Sequence, residues 1–173
     1  MKKIVINTIG KDKAGLVSEI SGIISSFNGN IEESKMIRLE TIFTIIMVVS
    51  IPEKNVDKII STINKIQNLE TLIRITKPFK LNNNFTQYEF SLDCLDNEGI
   101  IHYYTKYFTN QKINIEKINT WVSNAPISGS ILFNLESIID IPKNVNISKV
   151  KSKLNFLSKE FNVNYKLLLL KSK

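Results

Sequence analysis

The chain holds a single cysteine, a single histidine and a single tryptophan in 173 residues. With Cys94 alone there is no disulfide framework and no thiol-rich metal site. His102 has no orienting carboxylate at a fixed spacing, so packing or a solvent edge is its expected role rather than general-base work. No P-loop and no nucleophile elbow occurs. No apolar run approaches the 18 residues of a membrane span. The opening MKKIVINTIGKDK places Lys11, Asp12 and Lys13 too early for a signal peptide. These absences leave the expectation of a soluble, cytoplasmic, non-enzymatic protein with no membrane partner and no cofactor.

Arginine is nearly missing as well. Of 23 basic residues only Arg38 and Arg74 are arginine, leaving 21 lysines and a net charge of +7. Nucleic-acid readers favour the guanidinium fork of donors. The lysines are scattered, and Lys149, Lys151, Lys153 and Lys159 read as the wet face of a helix. A solvated surface is the expected reading, and direct nucleic-acid binding through the lysine excess is the alternative.

What is present is a pattern that occurs twice. GKDKAGLV followed by NGNIEESK recurs as CLDNEGII followed by KINIEKIN. Asp12, Gly15, Asn30, Ile31 and Glu32 become Asp96, Gly99, Asn114, Ile115 and Glu116 at a constant offset of 84. A repeat of this period predicts two small units. Residues 1–80 form the first, 81–86 the linker within the polar stretch Pro78–Thr86, and 87–173 the second.

In the first unit Lys3–Ile9 reads as a strand. Leu16, Ile20, Ile23, Ile24 and Phe27 follow at helical spacing, with Asn28-Gly29 as the stop. Ile31–Leu39 and Ile42–Ile51 read as two tightly joined strands, the second apolar enough to be central. Pro52 opens a helix striped by Val56, Ile59, Ile60, Ile63 and Ile66, and Thr71–Lys77 closes the unit. In the second unit Tyr88, Phe90, Leu92 and Cys94 alternate with Glu89, Ser91 and Asp93, which buries Cys94 as a small core residue. Tyr103, Tyr104, Tyr107 and Phe108 make an aromatic helix, and Ile147, Val150, Leu154, Leu157 and Phe161 stripe the last one. Pro52 and Pro142 correspond at an offset of 90, so six residues are inserted near Ser123–Gly129 and lengthen that hairpin. The order β-α-β-β-α-β, twice, predicts an α+β chain of two ferredoxin-like domains, each an antiparallel sheet with its helices on one face. The other face needs a cover, from the second unit or another chain, and small units favour a homodimer.

The repeated G-x-D-x-x-G joins the first strand to the first helix, where glycine allows a tight backbone and free N–H groups carry partial positive charge. Such a turn suits a carboxylate. The repeated Asn-Ile is expected beside the same turn, where its amide could receive an amino group, so that the pair accepts a small zwitterion. The candidate ligand-binding residues are Asp12, Lys13, Ala14, Gly15, Leu16, Asn30 and Ile31, with Asp96, Gly99, Asn114 and Ile115 as counterparts. Glu98 brings a carboxylate to the second turn, so the first unit is the expected ligand site.

At these residues the chain resembles two ACT domains, small βαββαβ regulatory modules that often bind amino acids between paired copies. More narrowly it resembles the glycine cleavage system transcriptional repressor family, through GKDKAGLVSEIS, GNIEESKMIRLE and IFTIIMVVS in the first unit. In the second it does so through INIEKINTWVSNAPISGSILFNLESIIDIP and KLNFLSKEFNVNYKL. That resemblance implies a regulator without a DNA-binding domain, acting on a LysR-type activator, with glycine or a similar small amino acid relieving repression. The D-R-P-G turn of such proteins is D-K-A-G at Asp12–Gly15 and D-N-E-G at Asp96–Gly99. Cys94 replaces the glycine at the head of the second motif, and Glu40 stands where a glycine commonly precedes the third strand.

Overall fold

A computed structural model describes residues 1–77, 84–95, 98–125 and 129–170. The chain divides into two compact units, Met1–Lys80 and Leu81–Lys173.

The first unit runs β1 (Lys2–Lys11), α1 (Leu16–Ser26), β2 (Asn30–Leu39), β3 (Ile42–Ile51), α2 (Val56–Ile63) and β4 (Leu69–Thr76). The second repeats it as β5 (Phe85–Leu95), α3 (Ile100–Asn110), β6 (Asn114–Asn124), β7 (Ile131–Pro142), α4 (Ile147–Phe161) and β8 (Asn164–Leu169). Each unit is one antiparallel sheet, ordered β2-β3-β1-β4 and β6-β7-β5-β8. The apolar β3 is central, as its composition requires.

Alternation along the central strands decides which face carries the helices. Ile4 and Ile6 of β1 and Ile45, Met47, Val49 and Ile51 of β3 are buried in one cluster with Leu16, Ile20, Ile24, Val56, Ile59 and Ile63 from the helices. In the second unit Phe90, Leu92 and Cys94 of β5 pack with Tyr104, Phe108, Val150, Leu154 and Leu157. Phe90 meets Phe108 edge-on with ring centroids 5.1 Å apart. Burial of Cys94 follows from its place in this alternation.

Two local details differ from the sequence reading, and a third sharpens it. Pro52 leads first into a single 3-10 turn, Glu53–Asn55, and α2 begins at Val56. The expected Asn28-Gly29 stop is present, with Asn28 in the left-handed conformation that ends α1, at φ 56°. Strand β5 begins at Phe85, so Phe85 and Thr86 belong to the sheet rather than to a linker; residues 78–83 lie outside the described residues. The lengthened hairpin is present: two residues separate β2 from β3, whereas β6 and β7 are joined across Ala125–Ser130, closed by Ala125 N–H donating to Ser130 O at 2.8 Å. Pro126–Ser128 lie outside the described residues.

The second core encloses a phenol. The Tyr104 hydroxyl is buried without a hydrogen-bond partner among the described residues. Its pKa is pushed up to about 12, chiefly by loss of hydration and further by the neighbouring Cys94 and Tyr165. An unfolded tyrosine ionises near 10, so between pH 10 and about 12 the unfolded chain has released a proton that the folded chain keeps. Stability therefore falls as pH rises through that interval. Tyr104→Phe is expected to keep near-neutral stability and to flatten this alkaline decline, as measured by urea unfolding across pH.

Candidate functional site

The turn from β1 to α1 is set by Gly15, which caps the helix at φ 90°, ψ −8°. Gly99 does the same for α3 at φ 83°, ψ 0°. A Cβ at Gly15 would meet no atom within 4 Å, so glycine is required there by backbone conformation and not by space. Gly10 is the opposite case: its Cβ would strike the Asn68 carbonyl oxygen and Leu69 on β4. Neither Gly15 nor Gly99 supplies a side-chain cap for the first-turn N–H groups, of which Leu16 N–H donates to Lys13 O at 3.4 Å.

Around the first turn lies an open depression of about 590 Å³, lined by Asp12, Lys13, Gly15, Leu16, Val17, Ser18, Ser21 and Phe43. The sheet contributes Phe43 to it, and Phe43 pairs Gly10 on one side and Arg38 on the other. Arg38 Nη1 stands 3.6 Å from Asp12 Oδ2, and Lys13 Nζ stands 3.3 Å from Glu19 Oε2. The Ser21 hydroxyl donates to Ser18 O at 3.2 Å. Asp12 and Lys13, each with an ion-pair partner outside the lining, thus meet the uncapped helix start and the apolar Leu16, Val17 and Phe43 here. Leu16 is buried and contributes to the floor, while Ala14 is exposed in the turn.

Asn30 and Ile31 are not beside this turn. Strands β1 and β2 run parallel, with β3 between them, so the start of β2 lies at the other end of the sheet. Asn30 and Lys3 both pair Ser50, whereas Lys11 pairs Ile42. The separation is eight rows, about 26 Å at ~3.3 Å per residue. Asn114 is placed likewise, sharing the Asp140 row with Gln87, and its amide donates to Asp140 Oδ2 at 3.2 Å. The expectation of a zwitterion held jointly by the turn and the Asn-Ile pair of one unit is corrected by this register. The recurrence of Ile and Glu has a structural cause. Ile31 and Ile115 pack against the cores, and the pairing shifts between Ile31 and Glu33 and again between Ile115 and Lys117. Glu32 and Glu116 are therefore matching bulge residues. They accept from Lys3 Nζ and Gln87 Nε2, themselves 84 positions apart.

The second turn offers different chemistry. Asp96 and Asn97 lie outside the described residues, and Glu98 is exposed. The row Gly10–Phe43–Arg38 becomes Cys94–Phe133–Val122, so the guanidinium is replaced by an exposed aliphatic side chain. Tyr103 lies over Gly99, its ring 3.6 Å from where a Cβ would stand, and stacks on Phe161 at 4.6 Å. Sequence reasoning missed Arg38, Val17, Ser18, Ser21 and Phe43. The rarity of arginine was the one signal that pointed at Arg38. Among the described residues no group of three or more His, Cys, Asp or Glu side chains is placed to hold a metal ion, and no helix is long and apolar enough to cross a membrane.

Residues 2–76 match the ACT domain family. The first unit is an ACT domain. Both units have its ferredoxin-like βαββαβ fold, in tandem. Over 98% of its length the chain superposes on an unknown protein from Galdieria sulphuraria, covering 99% of it, with a TM-score of 0.88 and 24% identity. It also superposes on a protein provisionally described as a glycine cleavage system transcriptional repressor, with a TM-score of 0.68, 18% identity and coverage of 99% and 98%. At these identities the two structures share the fold alone. Among curated relatives, the UPF0237 protein of Methanosarcina mazei is 34% identical over 55 residues, 32% of this chain and 60% of that protein. A UPF0237 protein of Streptococcus pneumoniae is 40% identical over 52 residues, 30% of this chain and 59% of that protein. The chain thus spans about 60% of the length of the curated relatives it matches.

Gly15→Ala is expected to lower stability by about 1–2 kcal/mol through the left-handed backbone alone. Glu32→Ala should cost only about 0.2–1 kcal/mol, as loss of an accessible ion pair does. Urea unfolding of the two variants beside the parent measures both; a Glu32→Ala loss larger than that of Gly15→Ala would contradict the assignments.

Proposed function

We propose that this chain is a non-enzymatic, amino-acid-responsive regulator that acts through protein contacts, with its ligand site at the β1–α1 turn of the first unit. The observation that carries this reading is the depression over Asp12–Ser18, where opposite charges, uncapped N–H groups and an apolar floor meet. A ligand carboxylate would bind at the helix start with Lys13 or Arg38, and its ammonium would take Asp12. Leu16, Val17 and Phe43 would receive the ligand's side chain.

That lining fits an amino acid with an apolar side chain better than glycine, which would leave the floor wet. The volume is within the range of about 300–1,000 Å³ usual for small-ligand sites. The ACT family match supports ligand sensing, and the fold shared with the provisionally described repressor supports a role in transcription control. On this reading the second unit, with Val122 for Arg38 and Tyr103 over its turn, is a contact module rather than a second sensor. A protein such as a LysR-type activator is a partner of the kind this function needs.

Titration calorimetry of the full chain against a panel including glycine, serine, valine, leucine and phenylalanine tests the reading. One site per chain is expected, with an apolar amino acid preferred over glycine. Arg38→Ala is expected to weaken binding about tenfold, the equivalent of one charge-assisted contact, and Glu98→Ala to leave it unchanged. Silence across the panel would remove the sensor, and loss of binding in Glu98→Ala would move the site to the second unit.

A further inference from the structure

The two units cover one face of each sheet in the same way, yet their other faces differ. On the second, polar side chains outnumber apolar ones: Glu89, Ser91 and Asp93 on β5, Lys117 and Asn119 on β6, Asn134 and Glu136 on β7 and Lys166 on β8 point outward, with Leu95, Trp121, Leu132, Ile138 and Leu168 among them. Its central row, Asn119–Glu136–Ser91–Lys166, is polar throughout. On the first, the outward side chains include Val5, Ile9, Ile37, Leu39, Ile42, Ile46, Val48 and Leu72. Ile46 in the middle is 47% exposed, and Leu39, Leu72 and Ile37 still more. The exposed aliphatic surface is on the order of 500 Å², the upper end of what a monomer carries.

The charges around this face are ordered. One row across the sheet reads Glu33–Val48–Val5–Arg74, the next Lys35–Ile46–Asn7–Leu72, and the next Ile37–Thr44–Ile9–Glu70. Glu33 and Lys35 occupy the β2 edge, Arg74 and Glu70 the β4 edge. Glu33 and Lys35 pair with each other at 3.4 Å, whereas Arg74 and Glu70 have no ion pair among the described residues. A two-fold axis parallel to the strands lays β2 of one copy over β4 of another and keeps every row in place. Glu33 then faces Arg74 of the second copy in the same row, Arg74 faces its Glu33, and Lys35 lies one row from Glu70. Val48 falls over Val5 at the centre. Sheets packed face to face keep their strands nearly aligned in this way.

We infer that the outer sheet face of the first unit is a homodimer interface, closed by the same face of a second copy through an aliphatic centre flanked by Glu33–Arg74 pairs. The arrangement is self-complementary, as a two-fold contact must be. Two such faces together reach roughly the 1,000 Å² that a specific interface needs. The polar face of the second unit takes no part. The ligand site lies on the helix side of the same sheet, so this inference stands or falls independently of the sensor reading.

Sedimentation velocity of the full chain over a wide dilution series provides the test. The parent is expected to dimerise, and Ile46→Glu to be monomeric with an unchanged far-ultraviolet circular dichroism spectrum. Arg74→Glu is expected to raise the dissociation constant about tenfold or more, since each copy loses a facing charge pair and gains a repulsion. The double variant Glu33→Arg with Arg74→Glu should return most of that loss. A parent that stays monomeric at every concentration would overturn the inference, as would a dimer untouched by Ile46→Glu. A double variant no better than Arg74→Glu alone would overturn the proposed two-fold pairing.

Discussion

One-sided burial of a four-stranded sheet is the constraint on which the rest of each unit depends. Ile4 and Ile6 with Ile45, Met47, Val49 and Ile51 can reach the helices only if β1 and β3 keep one phase along their length. A slip by one residue would turn every one of them to water. The first helix of each unit returns over that face through a turn that bends at a left-handed glycine. The bulges at Glu32 and Glu116 let Ile31 and Ile115 point into the core before the edge strand settles into its register. The depression over Asp12–Ser18 and the uncovered face are both by-products of this arrangement. The first opens where the helix layer begins, and the second is the surface the helices do not cover.

The duplication shows how one backbone can host different surface chemistry. Replacing Gly10 by Cys94, Ile20 by Tyr104 and Arg38 by Val122 leaves the strand order and the glycine cap intact. It nevertheless exchanges an open, charged turn for one overlain by Tyr103. The apolar patterning that the fold needs is kept by these changes, with the second core packed around larger side chains. Chemistry at the turn has no such protection, because it depends on individual side chains. Symmetry is therefore kept where packing enforces it and lost where only a ligand or a partner would.

Much of the fold was legible along the chain. The 84-residue offset, the helical stripes and the alternation on β5 place every strand and helix within a few residues. The candidate site was legible only in part. Asp12, Lys13 and Gly15 do line a depression, but Asn30 and Asn114 sit at the far end of their sheets. Their recurrence beside Ile31 and Ile115 looked like a ligand pattern and is a strand-entry pattern. Linear proximity to a motif says nothing about which end of a sheet a strand begins from, and that is fixed by β3 lying between β1 and β2.

The two arginines mark the same boundary. The sequence alone determined that this is a doubled βαββαβ chain, because hydrophobic period and turn residues are local properties that a repeat prints twice. It determined as well that glycine must stand at positions 15 and 99, since the turn from strand to helix asks for it. Only the tertiary structure decided that Arg38 reaches Asp12 over the first turn and that Arg74 shares a row with Glu33 on the uncovered face. Those relations join residues 26 and 41 positions apart, and they come from strand order and register, which no single segment encodes.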